Sequence, residues 1–149
     1  MILRLVVLTT VVLAAVALAA PTLVMAAPAA SARAVHCRAA AGDSLPSADF
    51  EGRMKAVRGT HRMAMRFEVQ ERIGTTPWTR VEASPLRHWR RSSPGVASFS
   101  FVQRVENLRL EGAYRVVVAF RWRDRSGHVI RVARDASDPC RAAEPAPGT

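Results

Sequence analysis

Lysine is almost missing from this chain: Lys55 is the only one among 22 basic residues. Asn107 is the only asparagine and Tyr114 the only tyrosine, while alanine, arginine, valine and proline are abundant. That skew is what a GC-rich genome writes, so arginine abundance alone does not signify recognition. The net charge of +10 still demands a basic surface. Basic surfaces meet anionic partners such as nucleic acid, acidic glycans and phospholipid headgroups.

Other absences narrow the function classes. With 149 residues, the chain has room for one ordinary domain and none for a TIM barrel or a full doubly wound dinucleotide-binding enzyme. No Gly-x-Ser-x-Gly elbow, His-Glu-x-x-His pair or phosphate-binding glycine loop occurs. His36, His61, His88 and His128 are scattered, and Ser92, Ser93, Ser98 and Ser100 have no base near them in sequence. The expectation is no enzyme, no catalytic residue, no metal and no cofactor. Hydrophobic residues at 49% exclude a wholly disordered chain.

Residues 1–32 read as a signal helix for export. Arg4 precedes an unbroken Ala/Leu/Val/Thr run from Leu5 to Ala20, and Pro21 and small residues follow. Cleavage is expected near residue 26 or 32, because Val24-Met25-Ala26 and Ala30-Ser31-Ala32 both satisfy the small-x-small rule. The alternative is an uncleaved membrane anchor, since no charge lies between Arg4 and Arg33. The expected location is secreted or extracellular. Loss of Arg4 leaves 21 basic and 12 acidic residues, about +9.

Only Cys37 and Cys140 remain in the exported part, and an even count there predicts a disulfide. It would clasp the start of the domain to its end, closing a loop of roughly 100 residues worth about 4.7 kcal/mol in chain-entropy terms. His36 beside Cys37 has no second His/Cys pair to complete a zinc site.

Residues 33–47 are expected to form an irregular lead-in, 48–141 a β-sandwich domain and 142–149 a disordered tail. Within 48–141 the apolar residues alternate. Met63, Met65, Phe67 and Val69 share one parity, as do Tyr114, Val116, Val118, Phe120 and Trp122. Period-2 patterning marks half-buried strands. Turn signals such as Gly74-Thr75-Thr76-Pro77, Ser93-Pro94-Gly95 and Arg125-Ser126-Gly127 separate seven of them, at about 48–57, 62–72, 78–82, 86–91, 97–105, 113–124 and 128–134. Asp124–His128 reads as the hairpin joining the last two.

The run Leu108-Arg-Leu-Glu-Gly-Ala-Tyr114-Arg-Val-Val-Val-Ala-Phe-Arg-Trp-Arg-Asp resembles the sixth-strand region of fibronectin type III and related immunoglobulin-like sandwiches, which place a Leu in the turn and a Tyr six residues later. Residues 48–141 resemble secreted immunoglobulin-like domains of uncharacterised proteins from GC-rich Gram-positive bacteria. The resemblance implies an all-β, seven-stranded antiparallel immunoglobulin/fibronectin III-like sandwich, with Tyr114 as a structural corner residue and Leu108 in its turn. It carries over no functional residue, and Phe67 stands where fibronectin domains usually keep a tryptophan.

Strand parity yields one candidate site. If Tyr114 to Trp122 faces the core on alternate residues, Arg115, Arg121 and Arg123 face outward, joined by Arg131 of the next strand. Arginine binds carboxylate or phosphate through two parallel hydrogen bonds. Arg87, His88, Trp89, Arg90 and Arg91 form a second basic-aromatic cluster, which in composition resembles nucleic-acid or glycan contacts and reads equally as an edge strand with Trp89 inward. The expected function is a secreted, non-catalytic interaction or structural module at a bacterial surface. The alternative is an arginine-mediated binder of an anionic polymer: cell-wall glycan, nucleic acid or acidic protein.

Overall fold

The computed structural model describes residues 27–40, 44–82, 86 and 88–141. Residues 1–26 of the expected signal, the expected tail at 142–149 and Arg87 lie outside the described residues.

The chain is an all-β, antiparallel sandwich. Its strands are β1 (Ala30–Arg38), β2 (Ser47–Lys55), β3 (Arg62–Ile73), β4 (Thr79–Arg80), β5 (Arg90–Arg91), β6 (Ser98–Glu106), β7 (Gly112–Arg123), β8 (Val129–Ala136) and β9 (Cys140–Arg141). One sheet runs β1-β2-β6 and the other β4-β3-β7-β8, with β5 also on β3 and β9 also on β7. β3 and β7 pair along their full length, from Arg62 opposite Arg123 to Ile73 opposite Gly112. Their alternation sends Met63, Met65, Phe67 and Val69, with Val116, Val118, Phe120 and Trp122, to the inner face, where all are buried. Phe50 and Met54 of β2 close the core from the other sheet. Each such large apolar side chain contributes roughly 1.5–3 kcal/mol.

Each of the seven stretches expected to be extended contains a strand, but 78–82 and 86–91 shorten to the two residues of β4 and of β5, and β1 and β9 are added among the described residues. The lead-in needs correcting: β1 occupies 33–38 of it and starts at Ala30, inside the stretch expected as signal. Alanine is depleted in strands, so the Ala-rich stretch carries no strand signal of its own. Pairing with β2 overrides that, because Ala30, Ala32 and Ala34 are small enough to pack on the core close to β2. A register shift between Ala34 and His36 marks a bulge. Ala34 pairs with Phe50, His36 with Asp49 and Cys37 with Ala48. The extra residue swaps the faces of everything after it. It sets the still exposed Cys37 opposite Ala48, on the side of Cys140, and sets His36 opposite Asp49.

The Cys37–Cys140 disulfide is formed, with Cα atoms 5.8 Å apart and 103 residues between them in sequence. It joins β1 of one sheet to β9 of the other. A second tie is the hydrogen bond from Trp122 Nε1 to the Lys55 carbonyl, at 2.7 Å.

The turn before β7 is organised by Tyr114. Its hydroxyl accepts the Arg109 N–H at 2.7 Å and donates to Glu71 Oε1 of β3. Burial, then the Glu71 carboxylate, push its pKa up to about 12. The ring lies over Gly112, where a Cβ would come within 2.6 Å of it. Leu108 is buried, and its N–H donates to the Pro46 carbonyl. Asn107 adopts φ 58°, and asparagine tolerates that left-handed region better than most residues.

Gly52 holds the two sheets together by having no side chain. A Cβ there would sit 2.9 Å from Met65 Sδ, 3.1 Å from Phe67 Cζ and 3.3 Å from Val118 Cγ1. Gly52→Val should lower unfolding free energy by about 1–3 kcal/mol through overpacking. Urea denaturation checks this, and an unchanged midpoint contradicts it.

Candidate anion-binding face

The two outer faces of the sandwich manage charge differently. On the β1-β2-β6 sheet, the central strand β2 carries Asp49 and Glu51, both almost fully shielded from solvent. Asp49 receives Arg38 at 2.7 Å and Arg104 at 2.9 Å, with His36 Nδ1 at 3.5 Å. Glu51 is held between Arg33 and Arg53, at 2.5 and 2.8 Å. The Arg104 hydrogen bond, with Arg38 behind it, keeps the Asp49 carboxyl below its ordinary range. Burial works against the charge of Glu51, but Arg53 and Arg33 outweigh it, and its pKa is lowered too. Each arginine named on this face is therefore paired with a carboxylate, two to each acid.

The outer face of the other sheet is built the opposite way. Arg62, Arg66 and Arg72 alternate outward from β3, and Arg115, Arg121 and Arg123 from β7. Pairing places Arg80 of β4, Arg91 of β5 and Arg134 of β8 on the same face. Among the described residues, Glu68 is the only carboxylate the strands put there. It accepts from Arg80 at 2.6 Å and from Gln70 at 2.9 Å, with Arg134 at 3.9 Å. Burial opposes its charge, and Gln70 and Arg80 more than offset that.

Two tryptophans order these arginines. Trp89, just before β5, has the Arg66 and Arg121 guanidiniums 5.1 and 4.2 Å from its ring centre. Trp78, just before β4, has Arg72 and Arg115 at 4.5 and 4.4 Å. Cation–π attraction acts within about 6 Å, so each ring holds two guanidiniums near it without cancelling their charge. Arg115 Nε also donates to Gln70 at 2.9 Å, whereas Arg72 Nε is buried without a partner.

Three of the four arginines read as a patch share this face: Arg115, Arg121 and Arg123. Arg123 is partly engaged, donating to the Gly127 carbonyl at 2.6 Å. Arg131 is a correction. It pairs with Trp122, on the inward parity, and its guanidinium lies 5.4 Å from that ring. A register shift at Trp122/Arg123 changes the parity of β8, so Val132 and Arg134 share the outer face instead. Trp89 is a second correction, since it stacks with outward-facing arginines. Arg90 takes the inward side, 5.0 Å from the Phe101 ring. The roles of Arg66, Arg72 and Trp78 went unread. Their signal was the outward parity of β3, which places Arg66 and Arg72 six residues apart on one face.

His36 and Cys37 are committed to Asp49 and to the disulfide. Among the described residues, no group of three or more His, Cys, Asp or Glu is placed to hold a metal ion. A shallow 260 Å³ depression beside the face is lined by Arg66, Glu68, Arg80, Val81, Glu82 and Leu86, with Phe67 beneath. The chain matches no protein-family model, no curated protein and no solved structure.

Both lowered carboxyls of β2 contribute stability that is present above their ordinary values of 3.8 and 4.5 and lost as pH falls through the lower folded-state values. Unfolding free energy should hold steady from pH 7 to about 5 and fall steeply below pH 4. Asp49→Asn should flatten part of that fall. A wild-type profile that stays level to pH 2, measured by urea denaturation, contradicts the assignment.

Proposed function

We propose that this chain is an exported, non-catalytic sandwich module of the immunoglobulin/fibronectin type III kind that binds an anionic polymer at the cell surface. The observation that carries the reading is the lopsided charge. One outer face sets four arginines against Asp49 and Glu51, whereas the strands of the other carry nine arginines and, among the described residues, one carboxylate, Glu68. Codon bias accounts for arginine in place of lysine, but not for this imbalance between the faces.

The family reading is supported by strand order. β1, β2 and β6 in one sheet, with β3, β7 and β8 in the other, follow the A-B-E and C-F-G partition of such sandwiches. The Tyr114–Arg109 hydrogen bond and the buried Leu108 suit the corner role of that tyrosine. The non-catalytic reading is supported by the shifted groups. Asp49, Glu51, Glu68 and Tyr114 are each engaged by neighbouring strands or turns, and Glu68, the one of them that lines the depression, is held there by Arg80 and Gln70.

Strand pairing favours the earlier of the two expected export cleavage sites. A cut after Ala32 would remove the Ala30–Met54, Ser31–Arg53 and Ala32–Gly52 pairs, with the Ala32 N–H that donates to Asp135. A cut after Ala26 leaves β1 whole. The exported protein should begin at Ala27 by intact mass, and a chain beginning at Arg33 contradicts this.

Binding to heparin, as a general polyanion, tests the functional reading. Affinity should fall with salt. Arg121→Glu should weaken it by about tenfold or more, the worth of one charge-assisted contact. Heparin binding that ignores both salt and Arg121→Glu overturns the proposal.

A further inference from the structure

The two arginine–tryptophan clusters are copies of one arrangement. Arg66 of β3 pairs with Ala119, and Arg121 lies two residues beyond it on β7. Arg72 pairs with Ala113, and Arg115 again lies two residues beyond. In each case a tryptophan from the β3 edge meets both guanidiniums of a diagonal pair. The repeat is six residues on either strand, which at about 3.3 Å per residue separates the clusters by about 20 Å. Between them lie Val117 and Ala119, too small to obstruct, with Gln70 and Glu68. The carboxylate of Glu68 is covered by Arg80.

We propose that the clusters are two equivalent oxyanion clamps that together hold one extended phosphate polymer along the β3–β7 face. This deepens, and rests on, the anionic-polymer reading above. A guanidinium held beside a ring keeps its charge and its fork of N–H donors, which suits two oxygens of one phosphate. Two like charges beside one ring are costly to gather, and an oxyanion between them relieves that cost. A polymer long enough to reach both clamps converts its second contact into an intramolecular one and gains affinity without any new type of contact. A polymer that carries phosphates and no bases fits best. Sequence-tolerant binding of single-stranded nucleic acid uses aromatic rings as stacking platforms for bases, and here both indoles are engaged by arginine.

Linear inorganic polyphosphate of graded, defined length is the probe, with binding read by calorimetry. Chains too short to span about 20 Å should bind weakly, and affinity should step up by about a hundredfold once the span is reached. The paired variants Arg66→Gln/Arg121→Gln and Arg72→Gln/Arg115→Gln each disable one clamp while leaving the core untouched. Either should abolish the step and leave short-chain affinity within about twofold. Affinity that rises smoothly with length, or one pair abolishing all binding while the other does nothing, overturns the two-clamp inference and leaves the anionic-polymer reading standing. Absence of binding at every length, together with no retention on heparin, removes both. A thymidine oligonucleotide of matched charge that binds tighter than polyphosphate overturns the inference in favour of nucleic acid.

Discussion

The pairing of β3 with β7 is the constraint on which the rest of the molecule depends. The two longest strands run side by side without a register break across their shared length. A sheet with period-2 side chains has two faces, and a continuous register keeps them separate. The inner face supplies most of the buried methionine, phenylalanine and valine of the core. The outer face therefore has its arginines set in fixed columns. A slip of one residue would bury guanidiniums and expose the core together, so the energy that fixes the core also fixes the spacing of the charged face.

Legibility in the sequence followed the strength of that alternation. β3 and β7 were readable nearly to the residue because large apolar and charged side chains alternate over many positions. Arg115, Arg121 and Arg123 inherited their outward direction from the same pattern. β1 was illegible because its inward residues are alanines, whose contribution is their smallness beside β2 and not any strand preference. Arg131 went to the wrong face for a different reason. Parity propagates along one strand, but it crosses a hairpin only if the register is known. The shift opposite Trp122 and Arg123 leaves no mark in composition. Trp78 and Trp89 were illegible as partners of arginine because they come from irregular segments, where no periodicity assigns a direction.

The two faces also show two uses of the same residue type. Arg33, Arg38, Arg53 and Arg104 offset the cost of shielding two carboxylates on a central strand, and each carboxylate meets more than one guanidinium. Pairs of this kind contribute little net stability when exposed. Loss of the acid, however, would leave several cations clustered without a counter-charge. On the opposite face aromatic rings take the place of carboxylates. A ring holds a guanidinium in position without cancelling its charge, so that face stays positive.

The bulge in β1 has a consequence for how the chain tolerates deletion. Val35 is the odd residue that lets β1 set alanines, and then Cys37, on the same side of the strand. A chain lacking it keeps the composition of β1 but sets His36 opposite Ala48 and turns Cys37 away from Cys140. Cys140, held on β7 through Tyr114, would then have no partner within reach. Under oxidising conditions the shortened chain would form covalent dimers through these thiols, visible as a doubled mass without reductant. The stretch with the weakest strand signal thus carries a reading-frame requirement, in which single-residue spacing matters more than residue identity.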